Sequence, residues 1–97
     1  MITYNKHASY KEIRKMVEEA YKDDLGSSAT IYDCWDSVHE ALSQIEYCDR
    51  FIEEFQKISG IEKMLYGSFI NHRINMCKNV RDAANLQIVT LLNEAGY

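Results

Sequence analysis

The stretch Ile45–Ile70, IEYCDRFIEEFQKISGIEKMLYGSFI, decides the fold. On its N-terminal side Ile45, Cys48, Ile52 and Phe55 recur at helical spacing and carry a helix up to Ile58. Ser59-Gly60 stops that helix, and a second begins at about Ile61. Two long helices separated by so short a turn read as an antiparallel hairpin.

Working backwards, Ile31, Trp35, Val38 and Leu42 extend the first arm to about residue 30, after a Gly26-Ser27-Ser28 turn in which Thr30 or a serine can cap the helix. Before the turn, Ser9 and Glu12 form a capping box ahead of Ile13, Met16, Val17, Ala20 and Tyr21, and Gly26 is the stop. Working forwards, the second arm runs toward Ala95, with Gly96 as its stop. Gly67-Ser68 inside it offers a kink or a split into a short fourth helix. The expectation is an all-α antiparallel bundle of three long helices, about 9–25, 30–58 and 61–95, in a single domain covering 1–97. The absence of proline leaves long helices uninterrupted.

The bulk numbers exclude several classes. A chain that is 46% apolar and 27% charged is too apolar to be disordered. The net charge of −4 argues against direct nucleic-acid binding, which needs clustered Lys and Arg. No apolar run approaches the roughly 20 residues of a membrane span. Three cysteines, Cys34, Cys48 and Cys77, without paired spacing read as reduced thiols in the cytoplasm. Abundant Ile, Asn, Lys and Tyr fit an AT-rich bacterial or phage coding sequence.

On a helical wheel of the third helix, Ile70, Cys77, Val80, Ala84, Ile88 and Leu91 share one face. Asn71, Asn75, Lys78, Asn79, Asp82 and Asn85 fall on a solvent face. Arg73 falls within the apolar arc and Arg81 at its border. A charge on a core face needs a partner, and Asp49 lies on the apolar arc of the second helix. A hairpin turning at Gly60 sets Asp49 against residue 71, so a buried Asp49–Arg73 ion pair is expected. The same register gathers Cys48, Asp49, His72 and Arg73 into a polar cluster, structural or ligand-binding. His7 reads as surface.

"EEAYKDD" and "EYCD" contain Glu18, Glu19, Asp23, Glu46 and Asp49. They resemble the EExxE…ExxD pattern of all-α nucleotide pyrophosphatases, although Lys22 holds the third acidic position. The resemblance covers those two segments alone and implies carboxylates that hold Mg²⁺ for nucleotide hydrolysis. No other metal, cofactor or nucleophile motif is present, and no cofactor is expected.

Length supplies the remaining lever. The first helix reaches along half of the hairpin, which leaves Phe51, Phe55, Ile58, Met64, Leu65 and Phe69 at a tip with no third helix. Such a patch suits a protein interface, here a homodimer. Tyr21, Tyr32 and Trp35 near the first turn are further anchor candidates. The function expected is a small acidic, non-enzymatic interaction or regulatory module of inhibitor, adaptor or immunity type, facing another, basic protein. The alternatives are the Mg²⁺ enzyme and a small-ligand binder using Arg73 and His72.

Overall fold

The computed structural model describes residues 2–23 and 32–96. Three helices, α1 (Tyr10–Asp23), α2 (Tyr32–Gln56) and α3 (Ile61–Glu94), follow one another, and the described residues contain no strand. This is the expected all-α bundle. The stop at Gly26, the Thr30 cap and the side chains of Tyr21, Asp23 and Tyr32 lie outside the described residues.

The helix ends follow local chemistry. The Glu12 amide donates to Ser9 Oγ at 3.2 Å, and the Ser9 hydroxyl donates to Glu12 Oε1 at 3.1 Å. The carboxylate thus meets the Ser9 side chain rather than its backbone N–H. Past Gln56 one more turn of i→i+3 type is made by the Lys57 and Ile58 amides on the Glu54 and Phe55 carbonyls. Gly60 then takes φ 71°, a conformation that costs glycine nothing, and Gly96 ends α3 at φ 95°. Between them α3 runs unbroken through Gly67, so the expected split into a fourth helix does not occur. Ile70 and Ile74, one and two turns further on, are buried, and that packing outweighs the ~1 kcal/mol a helical glycine costs.

The core sits in one half of the molecule. Ile13, Val17 and Ala20 of α1 join Trp35, Val38, Leu42 and Ile45 of α2 and Ala84, Ile88 and Leu92 of α3. α1 begins level with Glu46, where the Tyr10 hydroxyl donates to Glu46 Oε2 at 3.3 Å. Beyond that level α2 and α3 continue as a bare pair, which gives the molecule its extents of 56 × 19 × 16 Å. No helix among the described residues is long and apolar enough to cross a membrane.

The register of the hairpin differs from the expected one. Cys48 and Cys77 line the same groove, as do Phe55 and Phe69. Each pair lies several residues further along α3 than a tight turn at Gly60 gives. The first turns of α3 therefore overhang the end of α2, which leaves Ile61, Met64 and Leu65 exposed.

Residues 2–8, which have no helical period, form an arm laid along α3. The Ile2 amide donates to Asn93 Oδ1 at 2.7 Å, and Asn93 Nδ2 donates back to the Ile2 carbonyl at 2.9 Å. The Tyr4 hydroxyl donates to Asp82. Asn85 Nδ2 donates to the Asn5 carbonyl at 2.8 Å, and Asn85 is 1% exposed. The arm thus corrects the reading of the polar face. Asn71, Asn75 and Asn79 are exposed, but Asn85 is buried and Asp82 half-buried. Ile74 is buried where Val80 was expected, and Val80 is exposed.

Replacing Asn85 by Ala removes a buried side-chain amide and the donor it gives to the exposed Asn5 carbonyl. The expected cost is about 0.5–1.5 kcal/mol, read as a lower urea midpoint. Asn79→Ala, on the open face, leaves the midpoint unchanged, and equal midpoints for the two variants would show that the arm is not held this way.

Candidate functional site

The buried stripe of α3 is Ile70, Ile74, Cys77, Arg81, Ala84 and Ile88, a strict alternation of four and three residues. Arg81 is the one charge in it. Its Nε donates to Asp49 Oδ1 at 2.5 Å, and its Nη2 donates to the Ala8 carbonyl at 2.8 Å. One guanidinium thereby ties α2 to α3 and to the residue just before the Ser9 cap of α1. The inward arginine expected from the sequence exists, but it is Arg81 and not Arg73.

Arg73 is exposed and lies over the Phe69 ring, its guanidinium carbon 5.2 Å from the centroid. The expected Asp49–Arg73 pair is therefore absent. The overhang of α3 moves Arg73 away from Asp49 toward the tip and brings Arg81 level with it. The polar cluster of Cys48, Asp49, His72 and Arg73 dissolves for the same reason. His72 is exposed, Asp49 turns to Arg81, and Cys48 faces Cys77. Burial pushes the Cys48 thiol above its ordinary pKa, and the neighbouring Cys77 thiol and Asp49 carboxylate add to that. Both thiols are free.

An apolar groove of about 460 Å³ lies between α2 and α3. Tyr47, Phe51 and Phe55 form one wall at i, i+4 and i+8. Their rings touch in series, with centroids 4.7 Å apart for Tyr47 and Phe51 and 5.9 Å apart for Phe51 and Phe55. Phe69, Met76 and Val80 form the other wall, Cys48 and Cys77 lie between, and Arg73 is the single charge. No described side chain of α1 lines it. By helical period, Phe51 lies about half a turn of the α2 wheel from Leu42, which packs in the core beside α1.

The groove thus collects part of the expected anchor set and rejects part. Phe51, Phe55 and Ile58 are half-buried, and Met64, Leu65 and Phe69 are exposed. Trp35 is not an anchor: it is 5% exposed and belongs to the core, since it lies on the same stripe as Val38 and Leu42. Tyr47, Met76 and Val80 were missed. Their signal was a second seam of apolar positions on each helix, offset from the buried one.

Three of the five acidic residues picked out by the pyrophosphatase resemblance are engaged elsewhere. Glu18 accepts from Arg14 at 3.0 Å. Glu46 is bonded to Tyr10 and lies 3.5 Å from Arg50, while Asp49 is held by Arg81. Glu19 is exposed. Among the described residues no group of three or more His, Cys, Asp or Glu side chains stands close enough together to hold a metal ion. No family model matches the chain, and neither curated proteins nor solved structures contain a match to it.

Proposed function

We propose that this chain is a non-enzymatic interaction or regulatory module, of inhibitor, adaptor or immunity type, that works by docking helix faces. The observation that carries the reading is the aromatic-walled groove on the face of the hairpin away from α1. Soluble monomers rarely leave continuous apolar surface of more than a few hundred Å² open to water, and aromatic residues are the commonest anchors at interfaces. The reading includes self-association through the same face. It also includes a basic protein partner on the outer face of α1 and α2, where Glu18, Glu19, Glu40 and Glu46 are exposed. The reading puts the protein in the cytosol, which three cysteines without paired spacing support. The pairing of Glu18, Glu46 and Asp49 with Arg14, Arg50 and Arg81 supports the non-enzymatic assignment.

The test compares proteins retained from the source cytosol by the wild type, by Met76→Glu in the groove and by a Glu18→Lys/Glu46→Lys double variant on the acidic face. A partner lost with one variant and kept with the other supports the reading and says which face is used. Identical retention by all three overturns it. So does Mg²⁺-dependent hydrolysis of nucleoside triphosphates by the purified chain that is lost in Glu18→Ala.

A further inference from the structure

The groove is one part of a longer apolar surface, and the dimensions of that surface say what covers it. Leu65 and Ile61 continue the wall of Phe69, Met76 and Val80 past the end of α2. Ile61 to Val80 spans about 28 Å at 1.5 Å per residue. These five residues are each about half to three-quarters exposed, as is Tyr47 on α2. Together the six side chains offer on the order of 800 Å², close to what one partner contributes to a standard protein interface.

The whole molecule shows the same deficit. Its surface is 6990 Å², against about 5,700 Å² for a compact monomer of its mass. Its radius of gyration is 16.4 Å, against about 12–13 Å for a compact chain of this length. A domain closes its core by packing a second layer on the first. α1 supplies that layer on one side of the hairpin and for half its length. The opposite side has an apolar seam on both helices and, among the described residues, no layer.

We infer that the groove face is the two-fold interface of a homodimer, in which the α2–α3 hairpins of two copies pack face to face as a four-helix layer pair. This rests on the self-association reading above and gives it a geometry, hairpin on hairpin along one seam. A groove between two helices also accepts a single helix, but a second copy brings a seam of the same length, about 28 Å, against the whole of this one. The lone charge within the groove, Arg73, already sits against an aromatic face, as Phe69 receives its guanidinium. The exposed Glu54 of α2 offers a carboxylate at the rim, so the surface carries both signs that a self-complementary contact needs.

Light scattering after size exclusion, across a concentration series of the full chain, tests this. The wild type is expected at twice its 11.3 kDa monomer mass. Met76→Glu is expected at the monomer mass with an unchanged helical circular-dichroism spectrum. Leu65→Glu, on the overhanging turns and outside the α1 core, gives the same result if the seam is as long as stated. A dimer that survives both substitutions overturns this interface. A wild type that stays monomeric throughout overturns the second copy, and anilinonaphthalene sulfonate then separates the two readings. Dye fluorescence that rises with the wild type and not with Met76→Glu leaves the docking surface standing, while no rise with either removes both.

Discussion

Arg81→Ala lowers the melting temperature by about 10–20 °C, corresponding to about 2–3 kcal/mol for a domain of this length, while Arg73→Ala costs under about 1 kcal/mol. The difference follows from what each guanidinium holds. Arg81 is 16% exposed along its side chain, pairs with Asp49 at 2.5 Å, and satisfies the Ala8 carbonyl at 2.8 Å. Truncation leaves a part-buried carboxylate and a part-buried carbonyl without their donors, and both losses exceed the value of a surface pair. It also frees the arm at the start of α1, so loss of order there accompanies the loss of stability. Asp49 is 37% exposed, so water relieves part of the penalty and keeps the figure below that of a fully buried pair. Arg73 gives up a stacking contact on an exposed ring, worth about 0.5–1 kcal/mol. Thermal melts of the two variants side by side decide the matter. A larger loss for Arg73→Ala would mean that the hairpin register is the tight one and that Asp49 belongs to Arg73. The double variant Asp49→Leu/Arg81→Met recovers part of the loss, because an apolar pair leaves no charge unpaired.

What the sequence made legible is what local chemistry decides. Ser9 with Glu12, Gly60 and Gly96 mark helix ends because a cap or a positive φ depends on a few neighbouring residues. The buried stripes of α1 and α2 were legible because the strongest apolar period of each is the buried one, although α2 also carries an open seam through Tyr47, Phe51 and Phe55. α3 has two apolar seams. The buried one passes through Ile70, Ile74, Cys77, Arg81, Ala84 and Ile88, and the open one through Leu65, Phe69, Met76 and Val80. A single wheel over so long a helix averages the two, admits Val80 to the core and places Arg73 in it. A search for strict four-three spacing would have found Arg81. The overhang of α3 was not legible at all, since it depends on how Ile70 and Ile74 seat against α2, a contact without local signature. The arm escaped for a related reason: residues 2–8 are held by Asn85, Asn93 and Asp82 from far along the chain. The same polar stretch that looked like an open face was the seat of that arm.

Ile88→Ala and Ile45→Ala each cost about 3–4 kcal/mol, within the range for truncating a buried isoleucine, and the cost does not depend on protein concentration. Both side chains are fully buried, on facing helices of the α1-covered half, among Ile13, Val38 and Leu92. The surrounding side chains are held by three helices, so the site cannot collapse around the cavity, and most of the lost packing stays lost. Against a total stability of about 5–10 kcal/mol for a domain of this size, either change removes a third or more, with an unchanged denaturant slope. Phe69→Ala behaves differently. In the lone chain Phe69 is 56% exposed, so its truncation barely moves the midpoint of a dilute sample. In a dimer sealed through this face the ring is buried, and the loss grows with concentration, since association contributes to stability by mass action. Urea midpoints for Ile88→Ala and Phe69→Ala at two well-separated concentrations therefore distinguish the halves of the molecule. A constant deficit for Ile88→Ala beside a concentration-dependent one for Phe69→Ala places the fold in the α1-covered core and association at the bare hairpin. If both deficits are constant, the hairpin is stable on its own with its aromatic groove open to water.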